Sequence, residues 1–348
     1  MSRTDGVESE RDRKQEHIEL SLDGGIQLGV NFFDRYAFDH QALPEIALDE
    51  IDLSVEFLGR RLEAPLLISC MTGGTGQASA INRNLAIAAQ ETRIALGVGS
   101  QRKALEDPEQ AASFEVRPHC PDVPVLANLG AVQLNYGFGI DQCRAAVEMV
   151  EADALVFHLN PLQEAIQPEG QCDFRGLTAK MAAIGGRLEV PLVAKEIGCG
   201  LSRRAGEQLH EAGVRIVDAA GLGGTSWARI EARRAADVEL GELFAGWGVP
   251  TPRSIRELAS IEGMIVIGSG GVRSGVDAAK AIALGADLVG LAQPFLAAAV
   301  ESPERAVVAA RRIVHELRIA MFCVGARSVD ELRRTDLHQV DFLPRPPR

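Results

Sequence analysis

Between His158 and Glu164 the chain reads His-Leu-Asn-Pro-Leu-Gln-Glu, so an imidazole, two amides and a carboxylate crowd into one turn of sequence. Such a set can orient a substrate, relay a proton or offer hard oxygen atoms to Mg2+. Lys195 closes a separate apolar run, where an ammonium group can form a Schiff base, stabilise an anion or pair with Glu196. A third stretch, Gly268-Ser-Gly-Gly-Val-Arg273, brings glycines that let the backbone approach a ligand, together with a guanidinium fork. A helix opening near Ser274 would aim its first N–H groups at an anion, and a phosphate is the expected guest.

Positioning these groups falls to eight short apolar runs: Leu66–Ser69, Ile94–Val98, Val125–Asn128, Ala154–His158, Leu192–Lys195, Val214–Ala219, Ile265–Ile267 and Leu288–Ala292. Segments of helical period separate most of them, among them 80–93, 142–151, 203–212 and 276–284. Repetition of βα units in this number predicts an α/β fold of the TIM (β/α)8 type, with chemistry at the C-terminal ends of the strands. Polar residues recur at those ends, in Met71-Thr-Gly-Gly, Ser100-Gln-Arg, Asn128, the His158 string, Lys195, Gly223-Gly-Thr225, Arg273 and Gln293. One such residue is commonly a helix cap or a backbone partner. Eight at a common rim predict a binding site.

Composition narrows the partners. The 348 residues are 46% hydrophobic with a net charge of -12, which fits one large domain and excludes a nucleic-acid or acidic-membrane footprint. Six dispersed cysteines form no zinc-spaced or Cys-x-x-Cys pattern, and the polar N-terminus has no leader character, so a cytoplasmic protein with reduced thiols is expected. The chain divides into a disordered N-terminus (1–11), an arm and barrel cap (12–64), the barrel (65–325) and a C-terminal tail (326–348). Within the arm, Arg13-Lys-Gln-Glu-His17 is either a solvated face or a basic flap over an anion, and alternating residues around Gly59 predict a hairpin that plugs one barrel end. The interval 222–252 carries Trp227 and Trp247 and is the expected lid, while 302–322 reads as the closing helix.

With these motifs assembled, the chain from Arg13 to about Phe322 resembles the type 2, FMN-dependent isopentenyl diphosphate isomerases. The His158–Glu164 string is the most specific point of likeness; the Gly270 turn is shared with many FMN barrels. The resemblance implies that FMN is held by Met71, Thr72, Gly73, Ser100, Asn128, Lys195 near the N1/C2 edge, and Thr225, with its phosphate on Gly271, Val272, Arg273, Ala292 and Gln293. It implies a substrate diphosphate on Arg13, Lys14, Ser100, Gln101 and Arg102, Asn160 and the catalytic His158 and Gln163 at the reacting carbons, Lys195 as a third catalytic group, and Glu164 on Mg2+. Ala220 stands where a flavin-contacting Ser is common in that family, which puts that one contact in doubt.

The implied reaction moves the double bond of isopentenyl diphosphate to give dimethylallyl diphosphate. An unactivated alkene needs a strong acid at one carbon and a base at another, and reduced FMN, charged by NADPH or another donor, is the implied acid. A homo-oligomer, tetramer or octamer, is expected. Two other readings fit the same barrel: a redox FMN enzyme acting on a 2-hydroxy acid, which would want a late His/Arg pair that is not evident, and a non-catalytic FMN or phosphate-ligand binder, which would not need His158, Gln163 and Glu164 together.

Overall fold

The structure is a computed structural model that describes residues 16–22, 25–71, 73 and 76–340. Thr72, Arg13, Lys14 and the 1–11 segment therefore lie outside the described residues, as does the end of the tail from 341.

Eight parallel strands close into a barrel: β1 (Leu66–Ile68), β2 (Ala95–Gly97), β3 (Val125–Gly130), β4 (Ala154–Leu159), β5 (Leu192–Glu196), β6 (Ile216–Asp218), β7 (Ile265–Ser269) and β8 (Leu288–Leu291). Each expected run became a strand. Nearly every strand residue is buried, because barrel filling covers one face and the helical ring the other; this is why these strands read as continuous apolar runs without alternation. Closure is made by β8 and β1 in the register Val289↔Leu66, Gly290↔Leu67 and Leu291↔Ile68.

The hairpin expected around Gly59 is present, pairing Val55–Phe57 with Arg60–Leu62, and Gly59 takes φ +72 at its turn. Phe57 and Leu62 pack on Leu67, Leu126, Val193, Ile216 and Leu288, which seals the N-terminal end of the barrel and leaves the opposite rim for ligands. Truncating a buried filler such as Leu67 to Ala would cost about 2–5 kcal/mol through lost burial and the cavity left behind.

Helix Pro303–Val324 packs against helices Gly76–Thr92, Gly275–Ala283 and Gln293–Glu301, as the closing helix of the ring. The stretch assigned to a tail is built into the fold as far as residue 340. Val329 and Leu332 are buried, and Leu337–Gln339 pairs antiparallel with Tyr36–Phe38. The interval 222–252 is no open loop: it folds into helices Trp227–Arg234 and Val238–Phe244. No helix among the described residues is long and apolar enough to cross a membrane.

Candidate active site

A cleft of about 290 Å3 opens at the C-terminal rim, and the loops after all eight strands contribute to its wall. Of the residues singled out by sequence, Met71, Gly73, Ser100, Arg102, Asn128, His158, Asn160, Gln163, Glu164, Lys195, Thr225, Gly271, Val272, Arg273, Ala292 and Gln293 line it. Gln101 does not. Its side chain is wholly buried, donating to the carbonyl of Ala146 and accepting from Asn128 N, so it braces the rim from behind.

On one side of the cleft two glycine loops interlock. A Cβ on Gly270 would lie 2.2 Å from Gly221 O, and one on Gly271 would lie 2.3 Å from Gly223 O; both glycines have positive φ, +103 and +76. Backbone meets backbone there because side chains are absent, which leaves peptide groups facing the cleft, as a phosphate requires. The helix after the Gly270 turn differs from expectation. Its Gly275 N–H donates to Glu316, Asp277 N–H to Ser274 Oγ, and Arg273 N–H to Asp277, so the opening of that helix is taken up within the protein. Helix Gln293–Glu301, in contrast, begins at Ala292 with no side-chain cap, and both Ala292 and Gln293 reach the cleft. The helix end left open towards the cleft is the one after β8.

A residue that sequence reasoning missed joins this side to the N-terminal arm. Gln27 donates to Thr225 Oγ1 at 3.1 Å and accepts from Arg273. Leu28 N–H donates to Gly224 O and Ser226 N–H to Ile26 O, strapping residues 26–28 along the Gly223–Ser226 loop.

Across the cleft runs a chain of amides and carboxylates. Gln167 and the backbone N–H of Gln171 donate to Glu164 Oε2, each at 2.6 Å; Asn160 Nδ2 donates to Glu164 Oε1 at 2.8 Å and to Gln163 Oε1 at 3.0 Å. Gln163 Nε2 in turn donates to Glu231 Oε1 at 2.7 Å. Glu231 is completely buried, with His17 Nε2 3.1 Å from Oε1 and Arg234 2.5 Å from Oε2. Burial alone would raise its pKa, but His17, Gln163 and Arg234 outweigh that cost and hold the carboxyl at about 2. Trp227 stands edge-on to His17, centroids 5.2 Å apart. Glu231 lies one turn after Trp227 on the helix capped by Ser226, a spacing that puts the two on one face.

His158 Nδ1 lies 2.8 Å from Asn128 Oδ1, which can only accept, so Nδ1 carries the proton and Nε2 keeps a lone pair. Desolvation, with Lys195 and Arg102 nearby, lowers its pKa to about 4, and the ring is neutral at pH 7. Lys195 Nζ sits 3.2 Å from Asp218 Oδ2 and donates to Glu196 O at 3.0 Å. Of the three roles left open for Lys195, pairing with Glu196 is not observed: the Glu196 carboxylate folds onto the N–H groups of residues 197–200 instead.

The residues fit a hard cation held mainly by water and phosphate. Asn160 Oδ1 is buried with no partner, next to the Glu164 carboxylate, and no group of three His, Cys, Asp or Glu side chains among the described residues forms an all-protein cage. They also fit a flavin phosphate through the interlocked glycine loops and Arg273.

Fold and rim together place the molecule among the FMN-type (β/α)8 barrels. The family model described as FMN-dependent dehydrogenase matches residues 178–339, and mandelate oxidase structures superpose with a TM-score of 0.66 at 19% identity, covering 94% of this chain and 97% of theirs, which speaks for the fold alone. Within that class the chain belongs to the isopentenyl-diphosphate delta-isomerase family: it is 49% identical to the enzyme of a Nostoc species over 93% of this chain and 94% of that one. It is also 51% identical to that of Paracoccus zeaxanthinifaciens, over 92% and 95%.

Proposed function

We propose that this protein converts isopentenyl diphosphate to dimethylallyl diphosphate with FMN and Mg2+. The observation that carries the chemistry is the Gln167–Glu164–Asn160–Gln163–Glu231 chain facing Lys195 across one cleft. When bound, reduced FMN would supply the acid and an electron-rich ring, held by Lys195, Thr225, Arg273 and the rim glycines.

The chain's own residues do the rest. Neither His158, neutral with a pKa of about 4, nor the amides beside it is a strong acid, which supports a cofactor in that role. Gln163 Oε1 is proposed to accept the proton leaving the substrate and to pass one on through Nε2–H, which donates to the ionised Glu231. Ser100 and Arg102, with the arm residues Arg13 and Lys14, are proposed to hold the diphosphate, and Glu164 with Asn160 Oδ1 the Mg2+. Thr72 completes the flavin set by the same resemblance. Arg273, steadied by Gln27, and the helix opening at Ala292 are proposed for the FMN phosphate.

NADPH as the reductant, a cytoplasmic location and a homo-oligomer belong to the same reading. Six unpaired cysteines support the second, and the exposed Leu243 and Trp247 support the last. The test is the visible spectrum. Yellow protein should bleach with NADPH and then turn over isopentenyl diphosphate many times per NADPH consumed; stoichiometric consumption would favour a redox enzyme instead.

A further inference from the structure

Lys195 and Asp218 are direct neighbours across β5 and β6, paired in register, and their charged ends meet at 3.2 Å. Asp218 is 1% exposed and does not itself line the cleft. Its Oδ1 accepts from Ser269 Oγ at 2.5 Å, on β7, and from Ala220 N–H at 3.2 Å. The carboxylate is thus fixed by three adjacent strands, while the ammonium reaches past it to the cleft wall. Ala220 holds φ +35, a conformation few side-chain-bearing residues adopt, and its N–H points at Asp218. A buried charge pair of this kind is costly to assemble and is weak evidence for a role in stability. A reason for it is better sought in the cleft.

We propose that Asp218 is a positioning residue that sets how much positive charge Lys195 presents to the flavin, and thereby the reduction potential of bound FMN. The inference rests on the reading that Lys195 faces the N1/C2 edge. Reduction puts negative charge at that edge, so an unopposed ammonium would favour the reduced state and a paired one favours it less. With Asp218 1% and Lys195 8% exposed, a carboxylate 3.2 Å from the ammonium offsets much of its field. Asp218 therefore holds Lys195 in place and restrains it at once.

The experiment is spectroelectrochemical titration of FMN-loaded wild type, Asp218→Asn, Lys195→Met and the double variant, with sulfite affinity of the oxidised flavin as a second readout. Asp218→Asn should favour the reduced form at least tenfold, a rise of about 30 mV for a two-electron couple, and should bind sulfite more tightly by a similar factor. Lys195→Met should shift both readouts the opposite way, and the double variant should match Lys195→Met, because Asp218 acts through the lysine. An Asp218→Asn potential that is unchanged or lowered, with Lys195→Met shifted as stated, overturns the inference alone. If Lys195→Met leaves the potential where it was, the placement of Lys195 at the flavin is wrong and the inference falls with it. Should Asp218→Asn fail to fold, Asp218→Ser keeps a small polar group in the space and must give the same rise; absence of that rise overturns the proposal equally.

Discussion

The Gln163 amide donates to the buried Glu231 carboxylate at 2.7 Å, tying the loop after β4 to the helix after β6 across 68 residues of sequence. Gln163→Leu keeps roughly the same size and removes both the proton acceptor and this tie. kcat should fall at least about tenfold, the scale of one lost proton-transfer contact, with FMN content unchanged and KM raised only modestly. Steady-state assays on the reduced, flavin-replete variant check this. Preserved kcat with a large KM change would reduce Gln163 to a ground-state contact.

Glu164→Gln should weaken the apparent Mg2+ affinity and leave the flavin spectrum intact. Because its two oxygens accept from Asn160, Gln167 and the Gln171 N–H, replacing one oxygen by an NH2 group also sets donor against donor. A stability loss of about 1–3 kcal/mol is expected from that mismatch. Metal titration and thermal melting together separate the two effects; an unaltered titration in a destabilised variant would make the carboxylate purely structural.

Arg273→Ala should weaken FMN retention about tenfold or more, since a charge-assisted contact is worth roughly 1.5–3 kcal/mol. Gln27→Ala, which removes the residue seated between Arg273 and Thr225, should give a smaller loss in the same direction. Flavin dissociation followed by fluorescence measures both. Equal affinity in all three proteins would move the phosphate elsewhere.

The pH dependence of stability carries the mark of His158. Its pKa is lowered from 6.5 to about 4 in the fold, so between those values the unfolded chain binds the extra proton more readily. The contribution is fully present above pH 6.5 and is lost as the pH falls towards 4. His158→Asn should flatten this limb of a urea-midpoint profile, while the loss below pH 4.5 that belongs to Glu231, depressed to about 2, persists. An unchanged slope between pH 6.5 and 4 in the variant would show that the ring protonates freely in the folded protein.

The barrel was legible because strands buried on both faces leave unbroken apolar runs of strand length, and glycine-marked loops show where each ends. The rim residues followed from the strand ends. Gln101 was misjudged because it sits between Ser100 and Arg102, and only the backbone at the start of the Arg102–Glu106 helix turns its side chain away from the cleft. Asp218 hid inside a run that reads as strand, its meaning supplied by Lys195 on a neighbouring strand. The role of Gln27 depends on a partner 246 residues away, for which no local pattern exists. Leu337–Gln339 is too short and polar to announce itself, and it becomes a strand only by pairing with Tyr36–Phe38.

Barrel closure by β1 and β8 has a bearing on the order of events during synthesis. Val289 finds Leu66, and Leu337 finds Phe38, only when almost the whole chain has left the ribosome. Until then the strand that leads to Met71 has no neighbour on one side, and the peptide groups at Ala292 that would greet a phosphate have yet to be made. The complete rim therefore exists only after β8 and Ala292 have been made, so a flavin that needs all eight loops should be loaded after the barrel has been translated.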